Sequence, residues 1–483
     1  MKKITLLAIA LLMSFILPVC AGPSATPAPL SDGNLNLVFV VSQDLAYHAP
    51  GDVDPNTANL TNRGLQRSLL LATFLKQQVL GTKNVTAIYA LEPMTHLQTA
   101  NNYPDIAALV TIQQFAMLNQ ITMSGDAADP CTANSYPINA SYALVSVPDG
   151  VAAALIPSKG CQGLDFRDQG GCNETLLTGI IKANVPGFYV FSAPWETTSG
   201  LLANINKLQG FNLAVPADYR GPDYVYVISV APSGSAGLVT FNGNLNPPPG
   251  YPILPQSVPA TTARAAAPFS ITVTGGSSGA VIPAGINTNE TIYMIRHAEA
   301  HPGYFDDGNY IGAGQWRALY LPDALRGKIS PDQVYSIDPA QVDQGTVSAS
   351  GQSNWSYVRP SLTVAPYAIA NNLPYSLAAS FELMAQNAPQ PATQASAFFF
   401  SGGKFSNKKV LMAWEHNHIP PTVNALLSSY FPDGGGPMAP DWPENDYDTI
   451  WTVTLDARGN VTVDNAKCQG IDSATLPATC PQF

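Results

Sequence analysis

Charge is scarce in this chain. Of 483 residues only 11% are charged, 22 of them basic and 33 acidic, for a net charge of −11. A nucleic-acid binder needs a basic face to neutralise phosphates, so nucleic acid is excluded as a partner. Any positive site has to be local. Histidine is rarer still, with six in the chain. Cysteine is equally sparse, at Cys20, Cys131, Cys161, Cys172, Cys468 and Cys480, and this spacing matches no zinc site. No carboxylates are spaced like a two-metal centre, so neither metal nor other cofactor is expected. Beyond the N-terminus no apolar run is long enough to span a bilayer, and no integral span is expected.

Hydrophobic residues, in contrast, make up 46% of the chain, with 42 Pro and 38 Gly. That supplies core for two domains joined by long ordered loops, a composition suited to an exported protein. Lys2 and Lys3 precede an apolar run from Ile4 to Leu17, which reads as an export signal. Val19 and Ala21 fit the small-residue positions before a cleaved bond, so residues 1–21 are expected to leave and the mature chain to be periplasmic or secreted. The rival reading is lipid attachment at Cys20, where Val19 is large for the preceding position. Exported thiols tend to oxidise. Cys161 with Cys172, and Cys468 with Cys480, would close short loops; the sequence leaves this connectivity open.

Internal repetition organises the rest. The apolar run Leu37–Val41 has a counterpart in Thr291–Ile295. Each is followed by a helix in which Gly precedes Arg by three residues, Gly64 and Arg67 in one half, Gly314 and Arg317 in the other. Ile88-Tyr89-Ala90-Leu91-Glu92-Pro93 then matches Val334-Tyr335-Ser336-Ile337-Asp338-Pro339. Phe188–Phe191 answers Val410–Ala413, and Asp223-Tyr224 answers Asp446-Tyr447. The reading is a duplication: residues 22–245, a Pro-, Ala-, Gly- and Ser-rich linker over 246–284, and residues 285–483. The first copy carries an insertion from about Met123 to Thr175. Strands alternating with helices predict an α/β fold: two tandem three-layer α/β/α domains with mostly parallel central sheets.

Two histidines follow strands in the second half. Arg296 and His297 end the run Thr291–Ile295; His416 lies in Trp414-Glu415-His416-Asn417-His418-Ile419-Pro420, after Lys409–Ala413 and before a helix. Between them, Arg359 opens the segment that follows Ser336-Ile337-Asp338-Pro339. Groups beyond the carboxyl ends of parallel strands are where active sites gather.

In this order the parts over about Asn287–Leu455 resemble the histidine phosphatase superfamily, which includes phosphoglycerate mutases and acid phosphatases. The residues are Arg296 and His297, Gly314 to Ala318, Arg359, and His416. Ala298 stands where the family most often has Gly, and an insertion over Ala340–Val358 precedes Arg359. The resemblance implies a phosphoglycerate mutase-like fold and a phosphoryl group taken onto His297. It implies phosphate held by Arg296, Arg359 and His416, and an acid at Glu382. The chemistry agrees: neutral imidazole is a competent nucleophile, and guanidinium forks match phosphate oxygens. Asp306, Asp307 and Glu415 compete with Glu382 for the acid. Glu299 reads as structural, and His301 and His418 as loop residues beside the site.

The first copy has Ser42 and Gln43 opposite Arg296 and His297, Tyr103 opposite Arg359, and no histidine opposite His416. It is expected to be catalytically empty, with His48 and His96 as surface or loop residues. The function expected is an exported phosphomonoester hydrolase acting on a small phosphorylated substrate. A phosphomutase and a non-catalytic phospho-ligand or protein-binding module are the alternatives. Substrate choice would lie in His301–Asn309 and Ala340–Val358.

Overall fold

The computed structural model describes residues 27–119, 136, 138–140, 161–252, 266–301, 307–339, 342–344, 354–378 and 389–483. In the first half these form β1 (Leu35–Val41), α1 (Asn62–Phe74), β2 (Ala87–Ala90), a small hairpin of β3 (Leu97–Gln98) and β4 (Tyr103–Pro104), α2 (Ala107–Met117) and β5 (Ile138–Asn139). There follow α3 (Cys172–Ala183), β6 (Gly187–Ala193), α4 (Trp195–Gln209), β7 (Tyr224–Val230) and β8 (Ala236–Asn242). The second half has β9 (Ser270–Val273), β10 (Glu290–Arg296), α5 (Gly312–Ala324), β11 (Gln333–Ile337), the hairpin β12 (Val342–Gln344) and β13 (Asn354–Ser356), and α6 (Arg359–Ala370). It continues with β14 (Tyr375–Ala378), α7 (Pro389–Phe400), β15 (Lys409–Trp414), α8 (Ile419–Ser429), β16 (Thr449–Leu455) and β17 (Val461–Cys468).

Two large sheets result. The first runs β5-β2-β6-β1-β7-β8 and the second β14-β11-β15-β10-β16-β17-β9. In each, the four strands from the β5 or β14 edge are parallel, and the strands beyond β1 or β10 run antiparallel. Strand for strand, the first six positions of the two orders correspond. β9 lies within the stretch read as a linker and extends the second sheet by pairing with β17. β5, at the edge of the first sheet, lies within the segment read as an insertion.

Alternation along each strand builds the layers. Val38 and Val40 of β1, and Tyr293 and Ile295 of β10, point into one continuous core with residues of α1, α2, α5 and α6. Leu37, Phe39 and Val41 point the other way onto α3 and α4; Ile292 and Met294 point onto α7 and α8. The central strands β1 and β10 are thus covered on both faces, which is why their middle residues form near-continuous apolar runs rather than alternating. The inner helices are shared. Gln113 donates to Asn309 Oδ1 at 2.9 Å, Gln315 to Gln114 Oε1 at 2.7 Å, and Asn59 to the Leu373 carbonyl at 2.7 Å.

Cys161 and Cys172 form a disulfide. Cys468 and Cys480 do not pair, overturning that half of the expected connectivity: Cys480 is buried with its Sγ 3.2 Å from the Met117 carbonyl, held by the packing of the C-terminal segment on α2. Cys20 and Cys131 lie outside the described residues. Among the described residues no helix is long and apolar enough to cross a membrane.

Candidate functional site

β10 lies between parallel β15 and antiparallel β16, and its last residue is Arg296. The His297 amide donates to the Trp414 carbonyl at 2.8 Å, which ties the ends of β10 and β15 together. β15 then turns through Glu415 and His416 into α8, where Pro420 and Pro421 fit the first turn because no amide is needed there. α6 begins at Arg359. Its Thr363 hydroxyl donates to the Arg359 carbonyl at 2.7 Å and accepts from the Ala298 amide at 2.8 Å, fixing this helix start against the residue after His297. Arg296, His297, Arg359 and His416, far apart in sequence, are therefore brought to one place.

His297 is fully buried, 1% exposed. Its Nδ1 lies 2.7 Å from the Ala298 carbonyl. A carbonyl only accepts, so Nδ1 carries the proton and Nε2 presents a lone pair. Burial, reinforced by the positive charges of Arg359 and Arg296, holds the imidazole pKa well below its ordinary value. The ring is neutral near pH 7. Two tyrosines frame it, Tyr357 and Tyr447, with ring centroids at 6.1 and 6.2 Å. Arg359 lies over the Tyr357 ring at 4.4 Å and Arg296 over the Tyr447 ring at 4.0 Å. Arg296 also donates Nη1 to the Glu444 carbonyl, and its buried Nε has no protein acceptor.

His416 sets its Nδ1 against Glu415 Oε1, while His418 Nδ1 contacts Glu415 Oε2 at 2.8 Å. Burial works against the Glu415 charge, but these two imidazoles override it and hold the carboxyl well below its ordinary range. Glu415 is thereby a carboxylate bridging two histidines. His418, in the turn that leads into α8, stacks on Trp414 at 5.2 Å, which holds its ring in place. His297, Glu415 and His416 hold ligand-type atoms within 4.8 Å of one another. The charges of Arg359 and Arg296 acting on His297 oppose a cation there and favour an anion.

Glu299 is a structural group: its carboxylate takes Arg317 Nε at 2.9 and 3.0 Å and Nη2 at 2.7 Å, and Arg317 is fully buried. His301, a loop residue after β10 as expected, is buried, with Nε2 3.6 Å from Asp307 Oδ2. Glu382 and Asp306 lie outside the described residues. The two tyrosines and the Glu415 bridge were not singled out from sequence. A signal for Tyr447 was there in the Asp446-Tyr447 match to Asp223-Tyr224.

The corresponding end of β1 can now be placed in register. The Ser42 amide donates to the Ala193 carbonyl at 2.9 Å, as His297 does to Trp414. Ser42, not Gln43, therefore occupies the place of His297, and Val41 that of Arg296, one residue from the sequence-based match. The uninterrupted apolar run concealed this slip, since no polar position marks a face. Two residues beyond Ala193 and Trp414 stand Trp195 and His416. Thr111 contacts Gln43 as Thr363 contacts Ala298, so counting back four residues sets Ala107, rather than Tyr103, opposite Arg359.

No protein-family model matches the chain, and no curated protein matches it. Solved structures do. The protein histidine phosphatase SixA complexed with tungstate is 18% identical; the match covers 36% of this chain and 93% of that one, with a TM-score of 0.20. The mycobacterial glucosyl-3-phosphoglycerate phosphatase Rv2419c with inorganic phosphate is 12% identical, covering 38% and 100%, with a TM-score of 0.22. A phosphoserine phosphatase from Entamoeba histolytica, in complex with 3-phosphoglyceric acid, is 11% identical, covering 38% and 99%, with a TM-score of 0.22.

Proposed function

We propose that this chain is an exported phosphomonoester hydrolase of the histidine phosphatase type, acting through a phosphohistidine on His297. The observation that carries the reading is the His297 ring, neutral, buried, and fixed by Nδ1 so that Nε2 is the nucleophile between two arginines. Nε2 attacks phosphorus as the ester P–O bond breaks, and the leaving alkoxide takes a proton from Glu382. Water then attacks the phosphohistidine, giving its proton to the Glu382 carboxylate; the N–P bond breaks and inorganic phosphate leaves. Arg296 and Arg359 neutralise the equatorial oxygens, for which guanidinium forks are suited. His416 adds a donor from Nε2, its Nδ1 being engaged by Glu415.

Residues 285–483 would form the catalytic, phosphoglycerate mutase-like domain and residues 22–245 a degenerate copy, the two joined by residues 246–284. The shared strand order supports a duplication. Ser42, Ala107 and Trp195 in the matched places support the loss of chemistry. Export rests on Lys2, Lys3 and the apolar run after them, and the Cys161–Cys172 disulfide fits an oxidising compartment.

The test is aryl phosphate hydrolysis by His297→Ala. Turnover is expected to fall below about a thousandth of wild type, with acid-labile phosphate trapped on wild type alone. A variant that keeps a tenth or more of the activity would refute the nucleophile. Vanadate binding by a wild type without turnover would instead favour the binding-module alternative.

A further inference from the structure

At the end of β1 the counterpart of the His297 site is opposite in charge. The three places taken by His297, Arg359 and His416 hold Ser42, Ala107 and Trp195. Around them the fold gathers Asp44 from the loop after β1, His96 and Asp105 from the segment between β2 and α2, and Glu196 from the first turn of α4. His96 Nδ1 lies 2.8 Å from Asp105 Oδ2 and 3.4 Å from Asp44 Oδ2. One ligand-type atom from each of Asp44, His96 and Asp105 falls within 4.8 Å of the other two.

A second observation points to a ligand. Asp44 is 4% exposed; its Oδ1 accepts the Ala46 amide at 2.6 Å, but Oδ2, the atom facing His96, meets no hydrogen-bond donor among the described residues. A buried acceptor left unmet carries a penalty that a bound cation would remove. Burial first, then the charges of Asp105 and Glu196, raise the Asp44 pKa, as expected where negative charge outweighs positive. His96 responds in the same sense: burial opposes its charge, yet the Asp105 hydrogen bond and the charges of Asp105, Asp44 and Glu196 hold its pKa up. Its ring is fixed by stacking on Phe166 at 3.7 Å, and Arg167 covers the same phenyl ring at 5.8 Å. The His96 side chain is 16% exposed, which leaves a path from solvent.

We propose that Asp44, His96 and Asp105 bind a first-row divalent cation, with Glu196 adding negative charge beside it. Ligand atoms about 2.0–2.1 Å from a tetrahedral ion stand about 3.3 Å apart, close to the 3.4 Å between Asp44 and His96; the 2.8 Å between His96 and Asp105 is a hydrogen-bond distance that has to open by about 0.5 Å for both to ligate. One imidazole and two carboxylates suit zinc or manganese. The ion takes the place of the hydrogen on Nδ1: a neutral imidazole then carries its one proton on Nε2, and an imidazolium gives up one proton to solvent, so binding tightens as pH rises through the imidazole's titration.

The test is calorimetric titration of the chelator-treated full-length chain with Zn2+ and, separately, Mn2+. His96→Ala is expected to bind one ion fewer than wild type. Asp44→Asn, which keeps the side-chain shape, is expected to bind that ion at least tenfold more weakly. Unchanged stoichiometry and affinity in Asp44→Asn would overturn the proposal even if His96→Ala failed to fold. So would a wild type that takes up no ion, leaving a protonated His96 clasped between two carboxylates. No turnover is read, so either result leaves the role of His297 untouched.

Discussion

One hydrogen bond decides what His297 can do. With Nδ1 held by the Ala298 carbonyl, the ring has a single lone pair to offer, and burial with two arginines keeps that lone pair unprotonated. The acid limb of kcat/KM set by this ring is therefore expected well below pH 6.5, the ordinary value. Arg359→Met removes one of the charges that lower it, so the limb should move upward while vanadate binding weakens. A pH–rate profile with an unmoved limb would show that Arg359 does not act on the His297 ring. The same depressed pKa has a stability consequence. The ring's contribution is complete above about pH 6.5 and declines as pH falls, because the unfolded chain takes up the proton first. For the acid, Glu382→Gln should spare oxyanion binding and slow alkyl phosphates more than aryl phosphates, whose leaving groups need less protonation. Equal slowing of both would place the acid elsewhere, with Asp307 tested next.

The helices α1 and α5 share a device at the scale of an element. A Cβ on Gly64 would stand 2.2 Å from the Asp52 carbonyl oxygen, and one on Gly314 would stand 2.6 Å from that of Glu299. Each glycine lets its helix approach the loop leaving the central strand. Three residues on, one turn of helix, an arginine fastens that loop: Arg67 to Asp52 at 3.0 Å, Arg317 to Glu299 at 2.7 Å. Arg317 also reaches Gln469, the Ile471 carbonyl and Ser473, so it joins the C-terminal segment to the His297 loop. Arg317→Met leaves Glu299 buried and unpaired, at an expected loss of about 3–5 kcal/mol in urea unfolding. Gly314→Ala should lose about 1–3 kcal/mol through overpacking. Losses under about 0.5 kcal/mol in both would mean that the loop is held by other contacts. The repeated Gly-x-x-Arg was readable as a repeat, but its work was not, because the carboxylates it meets lie at different offsets in the two halves.

Across the whole molecule, the matched acids of the two Tyr-x-x-acid-Pro segments meet. Glu92 and Asp338 are both buried, 2% exposed each, and share a hydrogen bond between the halves. Burial first, and then the charge of Asp338, lift the Glu92 pKa well above its ordinary value. An acid whose folded pKa is raised holds a proton that unfolding releases. Its contribution therefore falls as pH rises above about 4.5. Glu92→Gln supplies the shared hydrogen without titrating, so its melting temperature should fall less than that of wild type between pH 5 and pH 8. Identical pH dependence in the two proteins would show that the pair carries no proton at the interface.

The sequence by itself carried the paired strand segments, the α/β alternation and the strand-end placement of Arg296, His297 and His416, because apolar runs and strand-end motifs are local signals. It also carried the Cys161–Cys172 pairing as one option among several. Only the tertiary structure decided the register of β1 against β10, since Leu37–Val41 is apolar at every position and buried on both faces, so the run itself does not mark which residue faces which layer. Tertiary structure alone brought Asp44, His96 and Asp105 together, and showed that His96, a loop residue as read from sequence, is held between carboxylates. The same holds for Glu415: its two histidines are near in sequence, but which carboxylate oxygen each one takes depends on how the turn after β15 packs. Long-range electrostatics, from Arg359 acting on His297 to Asp338 acting on Glu92, has no one-dimensional pattern. It depends on distance and burial, which exist only once the chain has folded.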